Sequence, residues 1–167
     1  EDAPGIVWAG TFDGGLNYVD TVNQKTTVYL HDSNDPNSLS HNHVASLYID
    51  SKRNLWVGTF AGLDLFDSET NQFVHYLHDP ENPNSIAPHW ISNIIEDQHH
   101  HIWTSHVGGG VSRFDPVSRQ FSHFRHDPAN ENSIASNIVA SMLEDHKGNI
   151  WVATYGGGIS VIHNDLT

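Results

Sequence analysis

Three kinds of residue in this chain could do chemistry: the adjacent carboxylates Glu96-Asp97 and Glu144-Asp145, fourteen histidines, and the triple glycines at 108–110 and 156–158. Paired carboxylates serve general acid–base catalysis, and a glycosidase needs two of them facing each other across a sugar. Neighbouring residues on a strand point to opposite faces, however, and these pairs recur with the repeat described below. The aspartates therefore read as acceptors of backbone N–H groups in a hairpin. Zinc needs three or four ligands converging on one point. His75 and His78, like His123 and His126, stand three apart at a strand end, which puts the two rings on opposite faces. They read as structural, each bonded to the adjacent turn, while the run His99-His100-His101 could capture a metal adventitiously. Glycine N–H groups can cradle a phosphate, but no helix and no Lys-Ser/Thr follows these segments, so they read as tight turns with positive φ. Neither a catalytic residue, a metal nor a cofactor is assigned on these grounds.

A repeat must position all of these residues. Trp8, Trp56, Trp103 and Trp151 are separated by 48, 47 and 48 residues, each within a short apolar run. Other positions keep step. An apolar residue closes a glycine turn after each tryptophan (Leu16, Leu63, Val111, Ile159), and four residues later stand Asp20, Asp67, Asp115 and His163. Eleven residues beyond each Asp comes a His-Asp pair (His31-Asp32, His78-Asp79, His126-Asp127), followed by Ser38, Ser85 and Ser133. Asp50, Asp97 and Asp145 stand six residues ahead of the next tryptophan. Each period divides into four β-patterned runs, A to D, bounded by turn residues; in the third repeat these are 90–96, 102–105, 110–114 and 120–125. Four strands in about 48 residues make one propeller blade, a sheet that buries its faces only by stacking on its neighbours. The chain is expected to be all-β, a β-propeller fragment of about three and a half four-stranded antiparallel blades. The repeats fall at 1–43 (incomplete), 44–89, 90–137 and 138–167 (incomplete). Asp2, six residues before Trp8, reads as the last corner of an otherwise missing strand A, and the open edges predict self-association with another copy.

Composition narrows the partners. Seven Lys and Arg against twenty Asp and Glu give a formal charge of −13, which excludes a nucleic-acid backbone and an anionic membrane surface. No apolar run approaches the roughly 18 residues that span a bilayer, so no membrane contact is expected of this segment. With no cysteine there is neither a disulfide framework nor a thiol nucleophile.

The segments 144–154 (EDHKGNIWVAT), 156–159 (GGGI), 111–116 (VSRFDP) and 121–128 (FSHFRHDP), the last running into Asn132-Ser133-Ile134, resemble the two-component regulator propeller repeat. The resemblance covers essentially the whole chain. It implies a periplasmic sensor propeller, upstream of a membrane span and a histidine kinase or diguanylate cyclase, with a carbohydrate-related ligand. Departures from the pattern are Arg53 and His99-His100-His101 at the hairpin turns and His163 in place of Asp, which leave a common turn geometry open.

Where the repeat fails to repeat, the blade does not dictate the residue. Trp90 stands where the other repeats carry His43 and Ile138, and an aromatic plane there could stack on a sugar ring. Asn42, His89 and Asn137 occupy the adjacent register, and Phe12, Asp13, Phe60, His106 and Tyr155 vary on the B-to-C turns, which share a face with the D-to-A connections. The leading expectation is a non-catalytic ligand-sensing module for a small molecule or oligosaccharide. The alternatives are a propeller for protein–protein contact and a polysaccharide-active enzyme.

Overall fold

The computed structural model describes residues 3–164, so the expectation placed on Glu1-Asp2 lies outside the described residues. Fourteen strands form four antiparallel sheets. The first contains β1 (Ile6–Gly10), β2 (Leu16–Asp20) and β3 (Lys25–Tyr29). The second contains β4 (Val44–Ile49), β5 (Leu55–Thr59), β6 (Gly62–Asp67) and β7 (Gln72–Leu77). In the third are β8 (Ile91–Glu96), β9 (Ile102–His106), β10 (Gly110–Asp115) and β11 (Gln120–Phe124), and in the fourth β12 (Val139–Glu144), β13 (Ile150–Thr154) and β14 (Gly158–Ile162). Strands pair in chain order within each sheet, and β8 packs between β4 and β12. The chain is thus an all-β propeller fragment with its A strands innermost.

One hairpin recurs in three blades. Asp50 Oδ1 accepts from the backbone N–H of Lys52 and Asn54 at 3.0 and 2.8 Å, while its Oδ2 accepts from Trp56 Nε1 at 2.9 Å. Asp97 does the same with His99 N, His101 N and Trp103 Nε1, and Asp145 with Lys147 N, Asn149 N and Trp151 Nε1. Despite their different residues, the three turns share one geometry. Arg53, His100 and Gly148 all adopt left-handed backbone (φ 69, 67 and 81°), and each donates its N–H to the carbonyl of its Asp at 2.9 Å. The Asp cap and the closed hairpin outweigh the roughly 1–2 kcal/mol that a non-glycine residue costs there.

Hydrophobic clusters fill the three blade interfaces. Each B-strand tryptophan faces the next blade: Trp8 meets Phe66 edge-on at 5.1 Å, Trp56 meets Phe114 at 5.8 Å, and Trp103 packs among Ile150, Val152 and Ile162. Trp103 is fully buried whereas Trp151, on the outer face of the fourth sheet, is 41% exposed. Polar ties cross the same interfaces. Phe73 and Phe121 donate their N–H to the carbonyls of Asn37 and Asn84, and Glu96 and Glu144 accept from the backbone of Ser51 and Gln98 in the preceding blade. The Glu-Asp pairs are thus divided between two structural tasks.

The repeating histidines lock the D-to-A connections. Nδ1–H of His31, His78 and His126 donates to the carbonyls of Leu39, Ile86 and Ile134 at 2.8–2.9 Å, as the repeat predicts. His75 and His123 differ. His75 Nδ1 meets the buried Asp64 carboxylate at 2.8 Å and Nε2 meets the Pro36 carbonyl at 2.9 Å, so both nitrogens face acceptors. The Asp64 bond holds its pKa above the ordinary value despite burial. His123 has Ser112 in the position of Asp64, and burial pushes it down.

Two outcomes follow. Burial pushes the Asp97 carboxyl up, but the bonds from Trp103 and His101 outweigh it and hold the pKa below the usual value. A depressed carboxylate stabilises the fold above its unfolded pKa, and that contribution is lost as pH falls below about 4. Asp97→Ala strands a fully buried indole N–H and should cost about 2–3 kcal/mol in urea unfolding, whereas Asp145→Ala, under the exposed Trp151, should cost less; equal losses would contradict the role assigned to the bond. In an NMR titration His75 should titrate above about 6.5 and His123 below it, and the reverse order would refute the Asp64/Ser112 contrast.

Candidate functional site

The B-to-C turns and the D-to-A connections meet at one end of the blades, as the alternation of loops requires. Gly15 N donates to Asn42 O at 3.0 Å, Val44 N to Thr11 O at 2.9 Å, Phe60 N to His43 O at 3.2 Å, and Gly108 and Gly110 N to Asn137 O at 2.9 and 3.0 Å. Gly110 carries φ 77°, and a Cβ there would lie 2.5 Å from the Phe124 carbonyl, so the glycine turn is a packing requirement.

On this face a line of rings crosses three blades. Phe12, 66% exposed, stacks on His43 with ring centroids 4.2 Å apart and planes at 17°. His43 meets Phe60 edge-on at 4.8 Å, and Phe60 meets Trp90 edge-on at 4.1 Å. His43 Nε2 pairs with the exposed Asp13 carboxylate, while its buried Nδ1 has no hydrogen-bond partner among the described residues. His41 joins the cluster. Its Nδ1 accepts from His43 N at 2.9 Å and its ring lies 4.8 Å from that of His43; burial, then the His43 charge, lowers its pKa. His41 was not among the residues singled out from the sequence, although it breaks the repeat, standing where Pro88 and Ser136 are found.

The other sequence-selected residues fall elsewhere. Asn42 and Asn137 accept the backbone N–H of His31 and His126 at 2.7 Å through Oδ1, so both are engaged in joining blades. His89, in the same register, is exposed with φ 75° and offers its carbonyl to His106 Nδ1 at 3.2 Å. His106 itself is wholly buried rather than on the turn surface: it ends β9, and strand alternation turns its ring inward. Its Nε2 lies 3.0 and 3.2 Å from the Thr104 and Ser112 hydroxyls, and burial pushes its pKa down to about 4, keeping it neutral. Tyr155, on the fourth blade, is exposed and makes no ring contact with the line among the described residues. The structure thus brings together Phe12, Asp13, His43, Phe60 and Trp90. Flat apolar faces bordered by a carboxylate and imidazoles can stack on a ring and bond its hydroxyls.

A family model for the two-component regulator propeller matches residues 38–61 and 133–156, two segments that start 95 residues, or two periods, apart. Over 64 residues the chain is 39% identical to histidine kinase P4 of Formosa agariphila, a match spanning 36% of this chain and 4% of that protein. Among solved structures it resembles the extracellular domain of BT3049 of B. thetaiotaomicron, described as a hybrid two component system (26% identity, TM-score 0.81, 98% of this chain and 21% of that one). The WD40 β-propeller domain of Doa1 shares the fold alone, at 12% identity and TM-score 0.70 over 96% of this chain and 47% of that one. In these two segments the chain is similar to the two-component regulator propeller repeat.

Proposed function

We propose that this chain is part of a non-catalytic, ligand-sensing propeller on the periplasmic side of a bacterial two-component receptor, and that the ring-lined face takes a carbohydrate-related ligand. The ring line Phe12–His43–Phe60–Trp90 carries this reading. His43 and Trp90 share a position that holds Ile138 in the next blade, and Phe12 and Phe60 share one that holds Val107 and Tyr155 elsewhere, so blade formation does not demand an aromatic at either. The buried, unpartnered His43 Nδ1 lies within it, and an unmet polar group is a place where the fold has not been optimised for stability alone. The likeness to BT3049 and to histidine kinase P4 supports a receptor context; the chain spans only a fifth of the first and a twenty-fifth of the second. Binding across several blades would bias how receptor copies associate, which is how a propeller without chemistry can transmit a signal.

A thermal-shift screen of the whole sensor region against oligosaccharides tests this. A binding sugar should raise Tm, and Phe12→Ala or Trp90→Ala should each weaken binding about tenfold, the worth of one aromatic stacking contact. Stabilisation that survives both substitutions would overturn the site, and no stabilisation by any sugar would overturn the ligand class.

A further inference from the structure

A second concavity lies at the opposite end of the blades, between the two complete sheets. It is a cleft of about 260 Å³ floored by Trp56, Leu65, Tyr76 and Phe114. The second blade contributes its Asp hairpin, and the third contributes its own Asp hairpin and the Asp115-Pro116 turn. Leu65 opens it. The equivalent positions on β2 and β10 hold Tyr18 and Arg113, and Arg113 lays its guanidinium 5.8 Å from the Trp103 ring centre, filling the corresponding space of the next interface. Leucine is shorter than either and leaves the cleft open down to Leu65 itself and Tyr76, both half-buried, beneath which Trp56 and Phe114 are buried.

Charge on the rim is unequally committed. Asp50 is saturated by two backbone N–H groups, the Asn54 amide and the Trp56 indole. Glu96 accepts from Ser51 N and Oγ, both at 2.6 Å, and from His100 Nδ1 at 2.8 Å. The cationic groups, by contrast, are uncommitted: among the described residues the Lys52 ammonium and the Arg119 guanidinium have no hydrogen-bond or ion-pair partner, and neither does His100 Nε2. These are two of seven Lys and Arg in a chain of charge −13, set on facing sides of one cleft. Arg119 moreover holds a left-handed backbone position (φ 58°) that the first and second blades fill with Gln24 and Asn71.

We propose that this inter-blade cleft is a binding site for a small organic anion, an apolar body carrying one carboxylate, with the body against Leu65 and Tyr76 and the carboxylate between Lys52 and Arg119. A body the size of a benzene ring fits the volume, and a neutral or cationic ligand of equal size lacks the charge complement. The site is separate from the ring-lined face, so the two proposals stand or fall independently.

Phenylacetate, phenylacetamide and phenethylamine are titrated into the isotope-labelled full chain and followed by amide NMR. Phenylacetate should shift residues of the two Asp hairpins and the Asp115-Pro116 turn, bind about tenfold more tightly than the amide, and leave the amine without effect. Arg119→Asn installs the residue of the equivalent turn in the second blade, so the turn is retained; combined with Lys52→Gln it should weaken phenylacetate about tenfold or more. Leu65→Tyr should occlude the cleft, while Phe12→Ala should change nothing. Equal binding of the three probes, shifts confined to the opposite face, undiminished binding by the Lys52/Arg119 variant, or no binding at millimolar phenylacetate would each overturn the proposal.

Discussion

The bond between an aspartate and an indole six residues later is the constraint on which the rest of this structure depends. In each of three hairpins one carboxylate satisfies two backbone N–H groups, the turn-closing side chain and the tryptophan Nε1. A tryptophan offers the largest apolar payload available for packing one sheet on the next, but its N–H must find an acceptor once buried. The aspartate supplies that acceptor from within the same hairpin, so every blade solves the problem locally and can be stacked without reference to its neighbours. The same carboxylate fixes the left-handed turn, which is why arginine, histidine and glycine occupy one backbone geometry.

Much of this was legible in the sequence, because a blade that cannot bury its faces alone must repeat its tryptophan, its turn aspartates and its His-Asp-Ser connection in register. The period gave the blades, the strand order and the structural role of His31, His78 and His126. What was not legible depends on the third dimension. Spacing placed Asp97 six residues before Trp103 but could not show an indole proton folding back across the hairpin. Residue type alone made Arg53 and His100 look like altered turns, whereas capping overrides the glycine preference. His106 looked like a turn residue until strand alternation placed its ring inside. Asn42 and Asn137 were chosen for their nearness to Trp90, although their identity in two repeats already marked them as structural. The Lys52–Arg119 cleft joins residues 67 positions apart from two blades, a proximity no local motif carries.

Repetition and its failure divide the labour in this chain. Residues that recur in every blade build blades; residues at positions that differ between blades, such as His41 and Trp90 on one face and Leu65 and Arg119 on the other, are free of that duty and cluster in space. Even the Asp64/Ser112 difference follows the pattern, since the Asp64 bond raises the pKa of His75 while burial lowers that of His123 in the next blade.

Hydrogen–deuterium exchange of the whole sensor region with and without a ligand that stabilises it tests this division most directly. Protection by a sugar should fall on the turn and connection segments 10–15, 41–44, 58–62 and 88–91, with the three Asp–Trp hairpins unchanged. Protection centred on residues 50–56, 97–103 and 145–151 alike would contradict it, because binding would then use the elements that build the blades.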